Sequence, residues 1–199
     1  MGMNVNEYKR MNLQQTRISE YADKKMEAME PAEAELKAFY GAHEADYRTV
    51  TVRHLFLSLQ DEGGNAVSAA KKEEVRLLAD RLMEKLRGGE SAEVLVTGYS
   101  ESESASTDLG LADLTKNAKT LDSAIVSWAV SQTKTGLSTL KLFETKTGYE
   151  IVFVEGILTY EKQDGITADA ETMNADALKE AVLSDYKNDA FQKHVEALE

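Results

Sequence analysis

Residues 51–59, TVRHLFLSL, alternate in a way that suits an extended strand. Val52, His54, Phe56 and Ser58 fall on one face, and Thr51, Arg53, Leu55, Leu57 and Leu59 on the other. Such a half-buried strand cannot stand alone, so the rest of the chain must supply a sheet. It also sets a question, because an imidazole shares a face with a valine and a phenylalanine. Taken alone, these residues leave two readings open. His54 is a core histidine with backbone partners, or it forms a wall of a ligand pocket.

The remaining segments mix helices and strands without strict βαβ alternation, which reads as an α+β domain flanked by two helical arms. Residues 4–30 hold neither Gly nor Pro, and their apolar positions are sparse. Pro31 suits the first turn of a second helix that ends near Gly41. Residues 66–87 form the clearest helix, with Val75, Leu78, Ala79, Leu82 and Leu86 as its apolar stripe and Gly88-Gly89 as its stop. Shorter helices are expected at 91–97 and 121–131, separated by the polar loop GYSESESASTDLG. Strands at 138–145 and 149–160 are joined by KTG, and the second is apolar enough to sit centrally. After Gly165 the chain is polar to about Asn174, and a closing helix spans roughly 175–198, ending on Leu198. The expected organisation is an arm over 1–48, a domain over 49–160 and an arm over 161–199.

Composition removes several function classes. A formal charge of −12 over 199 residues disfavours nucleic acid and anionic membranes as partners, since both need clustered Lys and Arg. The absence of cysteine excludes disulfides, thiol catalysis and thiolate metal sites. His43, His54 and His194 are too far apart for a zinc motif, so no metal is expected. The start MGMNVNEYKR has no apolar h-region, so no signal peptide is expected within this chain.

Four pieces then stand in order: VRHLFLSL, the long amphipathic helix, a loop with Tyr99, Ser100, Asp108, Leu109 and Gly110, and TGYEIV from Thr147 to Val152. This order resembles the parvulin-type peptidyl-prolyl cis/trans isomerases over about 50–158. The resemblance implies an antiparallel sheet surrounded by helices. It also implies catalysis without a cofactor, by two facing histidines with a Cys or Asp beside them, and an apolar pocket for the proline ring. On that likeness His54 is the first histidine, and Glu150 stands where the family carries the second. Ser102 falls at the Cys/Asp position. Leu109, Leu114, Leu121, Trp128 and Tyr149 are the implied substrate-binding residues.

The departures are Glu150 in GYE, Ser106-Thr107 in place of glycine before DLG, and LGLAD without the usual aromatic. Glu150 either pairs with His54 across the sheet or faces solvent. Trp128 also reads as a core residue, Asp108 as the brace of its own loop, and SESESAS as a solvated loop. The segment LQDEGGN after the histidine strand is acidic, which argues against phosphate-directed specificity.

PAEAELKAFYGAHEADY, just before the histidine strand, resembles the lead-in of secreted foldases and periplasmic chaperones that carry parvulin domains. In those proteins N- and C-terminal helices pack together as a chaperone lobe. The resemblance therefore implies an extracytoplasmic bacterial protein, with a membrane anchor outside this chain and unfolded or proline-containing polypeptides as clients. The function expected is peptidyl-prolyl isomerisation during folding of exported proteins. The alternative is a catalytically degenerate parvulin-fold chaperone.

Overall fold

A computed structural model describes residues 5–103, 105–160, 163–164 and 175–197. The polar stretch 165–174 and Leu198 lie outside the described residues. In chain order the elements are α1 (Val5–Glu27), α2 (Glu33–Ala42), α3 (Glu44–Tyr47), β1 (Thr49–Ser58), α4 (Ala69–Arg87), α5 (Ala92–Tyr99) and α6 (Ala105–Asp108). They continue with β2 (Leu111–Leu114), α7 (Ser123–Val130), β3 (Gly136–Glu144), β4 (Gly148–Leu158), β5 (Gln163–Asp164) and α8 (Ala175–Glu196).

Local chemistry sets the element ends. The Ser68 hydroxyl accepts from the Lys71 amide, so α4 begins at Ala69, while Val67 is drawn back to the Leu59 carbonyl at 2.9 Å. Ser91 and Asp122 cap α5 and α7 in the same way. Gly88 closes α4, and Gly89 turns the chain at a φ of 89°. Pro31 lies before the N-cap residue Ala32 and not within the first turn of α2. The α2 entry is fixed instead by the Glu35 carboxylate, which accepts from the Ala32 amide at 2.8 Å.

The described residues form two compact units. One runs from Glu44 to Ala175 and holds the sheet. Its strands are antiparallel in the order β2-β1-β4-β3, with β5 added to the end of β4. This is the expected α+β architecture, with an antiparallel sheet covered by helices. Leu55 and Leu57 of β1, with Leu59 just beyond it, join Tyr149 and Ile151 of β4 beneath Ala79, Leu82, Met83 and Leu86 of α4 and Leu95 and Val96 of α5. On the other face Val50, Val52, Val152 and Val154 meet Leu114 and the α7 residues Ile125, Val126 and Ala129. Each fully buried Leu, Ile or Val contributes roughly 1.5–3 kcal/mol, so both faces of β1 and β4 are held by packing.

The second unit comprises α1, α2 and α8. Tyr21 meets Phe191 at a ring separation of 6.3 Å, and Phe39 meets Tyr186 edge-on at 5.6 Å. These aromatic pairs join helices from opposite ends of the sequence. Leu178 and Val182 of α8 are fully buried, whereas Tyr8, Met11, Leu13 and Ile18 of α1 are exposed.

Candidate functional site

His54 sits in the middle of β1, opposite Val152 of β4. Two residues along, Phe56 faces Glu150, so Glu150 is the diagonal neighbour of His54 on the same face of the sheet. The diagonal is bridged: His54 Nδ1 lies 3.0 Å from Glu150 Oε2, and each residue is 7% exposed. Glu150 does not face solvent. A carboxylate accepts only, so the bond assigns the proton to Nδ1.

His54 and Ser102 reach the same open cleft, of about 340 Å³. Its other lining residues are Asp108, Leu111, Ala112, Asp113, Thr120 and Leu121. Ser102 is brought there by a short segment that runs beside β1. The Glu101 amide donates to the Phe56 carbonyl at 2.8 Å, and the Phe56 amide donates to the Ser100 hydroxyl at 3.1 Å. The Glu101 carboxylate also accepts from the Ser58 amide.

The opposite rim is a tight corner at Asp108-Leu109-Gly110. The Asp108 Oδ1 accepts from the Gly110 amide at 2.7 Å, so Asp108 does brace its own loop while also lining the cleft. Leu109 has a φ of 54° and Gly110 a φ of 76°. Among the described residues Leu109 is the one non-glycine in the left-handed region. Glycine is required at 110, because a Cβ there would lie 2.2 Å from the His54 carbonyl oxygen. The Gly110 carbonyl in turn accepts from the His54 amide at 2.7 Å.

The structure thus brings His54, Ser102 and Leu121 to the cleft, with Glu150 behind His54. It does not bring the other expected substrate residues there. Tyr149 is buried on the opposite face of the sheet, because strand alternation turns it away from Glu150, and its ring lies 6.0 Å from the Arg76 guanidinium. Leu114 pairs with Val50 and is wholly enclosed in the valine-rich core. Trp128 packs edge-on against Phe143 at 5.2 Å, consistent with its reading as a core residue. Leu109 serves the site through its backbone and is not a wall of the cleft.

Leu111, Ala112 and Asp113 escaped the sequence reading because β2 is four residues long and LADL contains no β-branched or aromatic residue. The Asp-Leu-Gly corner just before it was the available signal, since an Asp-to-Gly turn delivers the chain to a new strand. Among the described residues no group of three His, Cys, Asp or Glu side chains is placed to hold a metal ion.

The sequence matches the Rotamase family, described as the PPIC-type PPIASE domain, over residues 54–156. No curated protein matches it. Among solved structures it is similar to PrsA from Bacillus subtilis, at 19% identity and a TM-score of 0.42, covering 97% of this chain and 67% of that one. Foldase protein PrsA from Streptococcus pneumoniae is similar at 18% identity and a TM-score of 0.40, with 99% and 65% covered. PrsA from Bacillus anthracis, a peptidylprolyl isomerase, is similar at 13% identity and a TM-score of 0.39, with 82% and 68% covered. The chain spans about two thirds of the length of these structures.

Proposed function

This chain belongs to the PPIC-type PPIase family, the parvulins, by a match over more than half of its length, and from that premise we propose that it isomerises Xaa–Pro bonds in the cleft beside His54. The observation that carries this reading is the buried His54–Glu150 pair set against that cleft. Rotation about a peptide bond has a barrier of roughly 18–20 kcal/mol because it breaks amide resonance. Lowering it requires only that the site hold the twisted amide better than either planar form. No bond need form between protein and substrate.

In this reading Leu121 and Leu111 supply the apolar wall for the proline ring. Glu150 fixes the His54 tautomer, leaving Nε2 to meet the bound chain, and Ser102 offers a hydroxyl as a further donor or acceptor. Glu150 replaces the second histidine by a group that holds the first one in place. The clients are proline-containing polypeptides, and the setting is an extracytoplasmic one. No described helix is long and apolar enough to cross a membrane.

A second reading, a parvulin-fold chaperone without turnover, is favoured by the same Glu150 and by the exposed Tyr8, Met11, Leu13 and Ile18 of α1. NMR exchange measurements on a series of Xaa–Pro peptides separate the two. Acceleration that His54→Ala removes supports the isomerase. A folded chain that accelerates none of the peptides supports the chaperone.

A further inference from the structure

We infer that Arg53 is the positioning residue of the isomerase cleft, acting through the Asp108-Leu109-Gly110 corner; this rests on the function proposed above. The Arg53 side chain is only 7% exposed, yet it carries a full charge inside the fold. Its Nε donates to Glu155 Oε1 at 2.5 Å, and an Nη2 nitrogen lies 3.6 Å from Glu93. The remaining arm, Nη1, donates to the Leu109 carbonyl at 2.8 Å. Next along β1, the His54 amide donates to the Gly110 carbonyl at 2.7 Å. Two consecutive residues of the catalytic strand thus hold two consecutive carbonyls of the corner.

The corner needs holding. A leucine in the left-handed region is disfavoured because its Cβ crowds the following carbonyl oxygen, and such conformations persist only where the surroundings impose them. Turning Leu109 back to the ordinary region swings the peptide that links it to Gly110. That motion carries Asp108 and Leu111, which both line the cleft. The residue type follows from the geometry. A guanidinium presents a planar fork that serves two carboxylates and one carbonyl together, and an ammonium does not. A buried ion pair is weak evidence for stability as such, so the retained charge fits a role in placing the corner.

The test uses the full chain with Arg53→Lys and Arg53→Met, read by isomerisation kinetics and by the amide-to-Hα coupling of Leu109. The expected result for Arg53→Lys is a cooperatively folded protein with a changed Leu109 coupling. Its KM is expected to rise about tenfold, the size of losing one hydrogen bond to a charged group, with a smaller change in kcat. Arg53→Met should do at least as much, and if it fails to fold, Arg53→Lys decides. Wild-type kcat/KM and an unchanged Leu109 coupling, even alongside a lower Tm, overturn the inference. A wild-type chain that accelerates no Xaa–Pro peptide overturns the isomerase reading instead, and the Leu109 coupling still decides whether Arg53 holds the corner.

Discussion

The Nδ1 of His54 and the Oε2 of Glu150 are 3.0 Å apart across two neighbouring strands, with both residues almost closed off from water. Removing either partner leaves the other buried and unsatisfied, at a cost of about 1–3 kcal/mol. Glu150→Ala is therefore expected to lower the urea midpoint and isomerisation together. Glu150→Gln keeps an oxygen that accepts from Nδ1, so it should retain most of the stability. A Glu150→Ala protein as stable and as active as the wild type would remove the pair from the mechanism.

Leu114 and Leu121 provide a contrast between core and cleft. Leu114 is fully enclosed, and Leu114→Ala should cost about 2–5 kcal/mol in chemical denaturation, leaving KM nearly unchanged. Leu121 lines the cleft. Leu121→Ala should raise KM several-fold, with a smaller loss of stability than Leu114→Ala. Steady-state kinetics beside denaturation curves would show the two effects exchanged if Leu114 met the substrate.

Gly110→Ala brings two penalties at one position. The added methyl would lie 2.2 Å from the His54 carbonyl oxygen, and the φ of 76° disfavours any side chain. The expected outcome is a marked fall in Tm, with the amide resonance of His54 displaced because its acceptor is the Gly110 carbonyl. A Gly110→Ala variant that melts with the wild type would contradict this account of the corner.

Lys72 on α4 and Glu144 on β3 link a helix to the sheet at 2.6 Å. The hydrogen bond from Lys72 holds the Glu144 carboxyl below its usual value, and the same bond raises the Lys72 ammonium. For Glu144 the native state favours the ionised form. Its contribution is present above the ordinary carboxylate value and is lost as pH falls through the lowered one. Both groups are exposed, so the effect is small and screened by salt. Denaturation curves for wild type and Lys72→Met should differ slightly at neutral pH and low salt and converge in acid. A gap that widens in acid would reverse the sign.

Much of this protein is legible from single segments. The alternation of TVRHLFLSL put Leu55, Leu57 and Leu59 on one side and Val52 and His54 on the other, and the structure holds them there. Ser68, Gly88 and Asp122 bound their helices through hydrogen bonds to near neighbours in the chain, so their effects are local and can be read locally. The order of the histidine strand, the Asp-Leu-Gly loop and the TGYEIV strand carried the family, and the family match over residues 54–156 spans the same segments.

What the sequence did not determine depends on contacts between distant segments. Whether Glu150 faces His54 or water rests on the register of β1 against β4, in which Phe56 meets Glu150 and the diagonal falls on His54. The same register sends Tyr149 to the far face, against its expected place at the substrate. Strand β2 forms because Val50 to Arg53 offer it an edge, not because LADL favours extension. The left-handed Leu109 is set by a guanidinium 56 positions away in the chain. A local pattern records the preferences of a segment, but burial and pairing across the sheet are properties of the assembled core, and here they choose the cleft's walls.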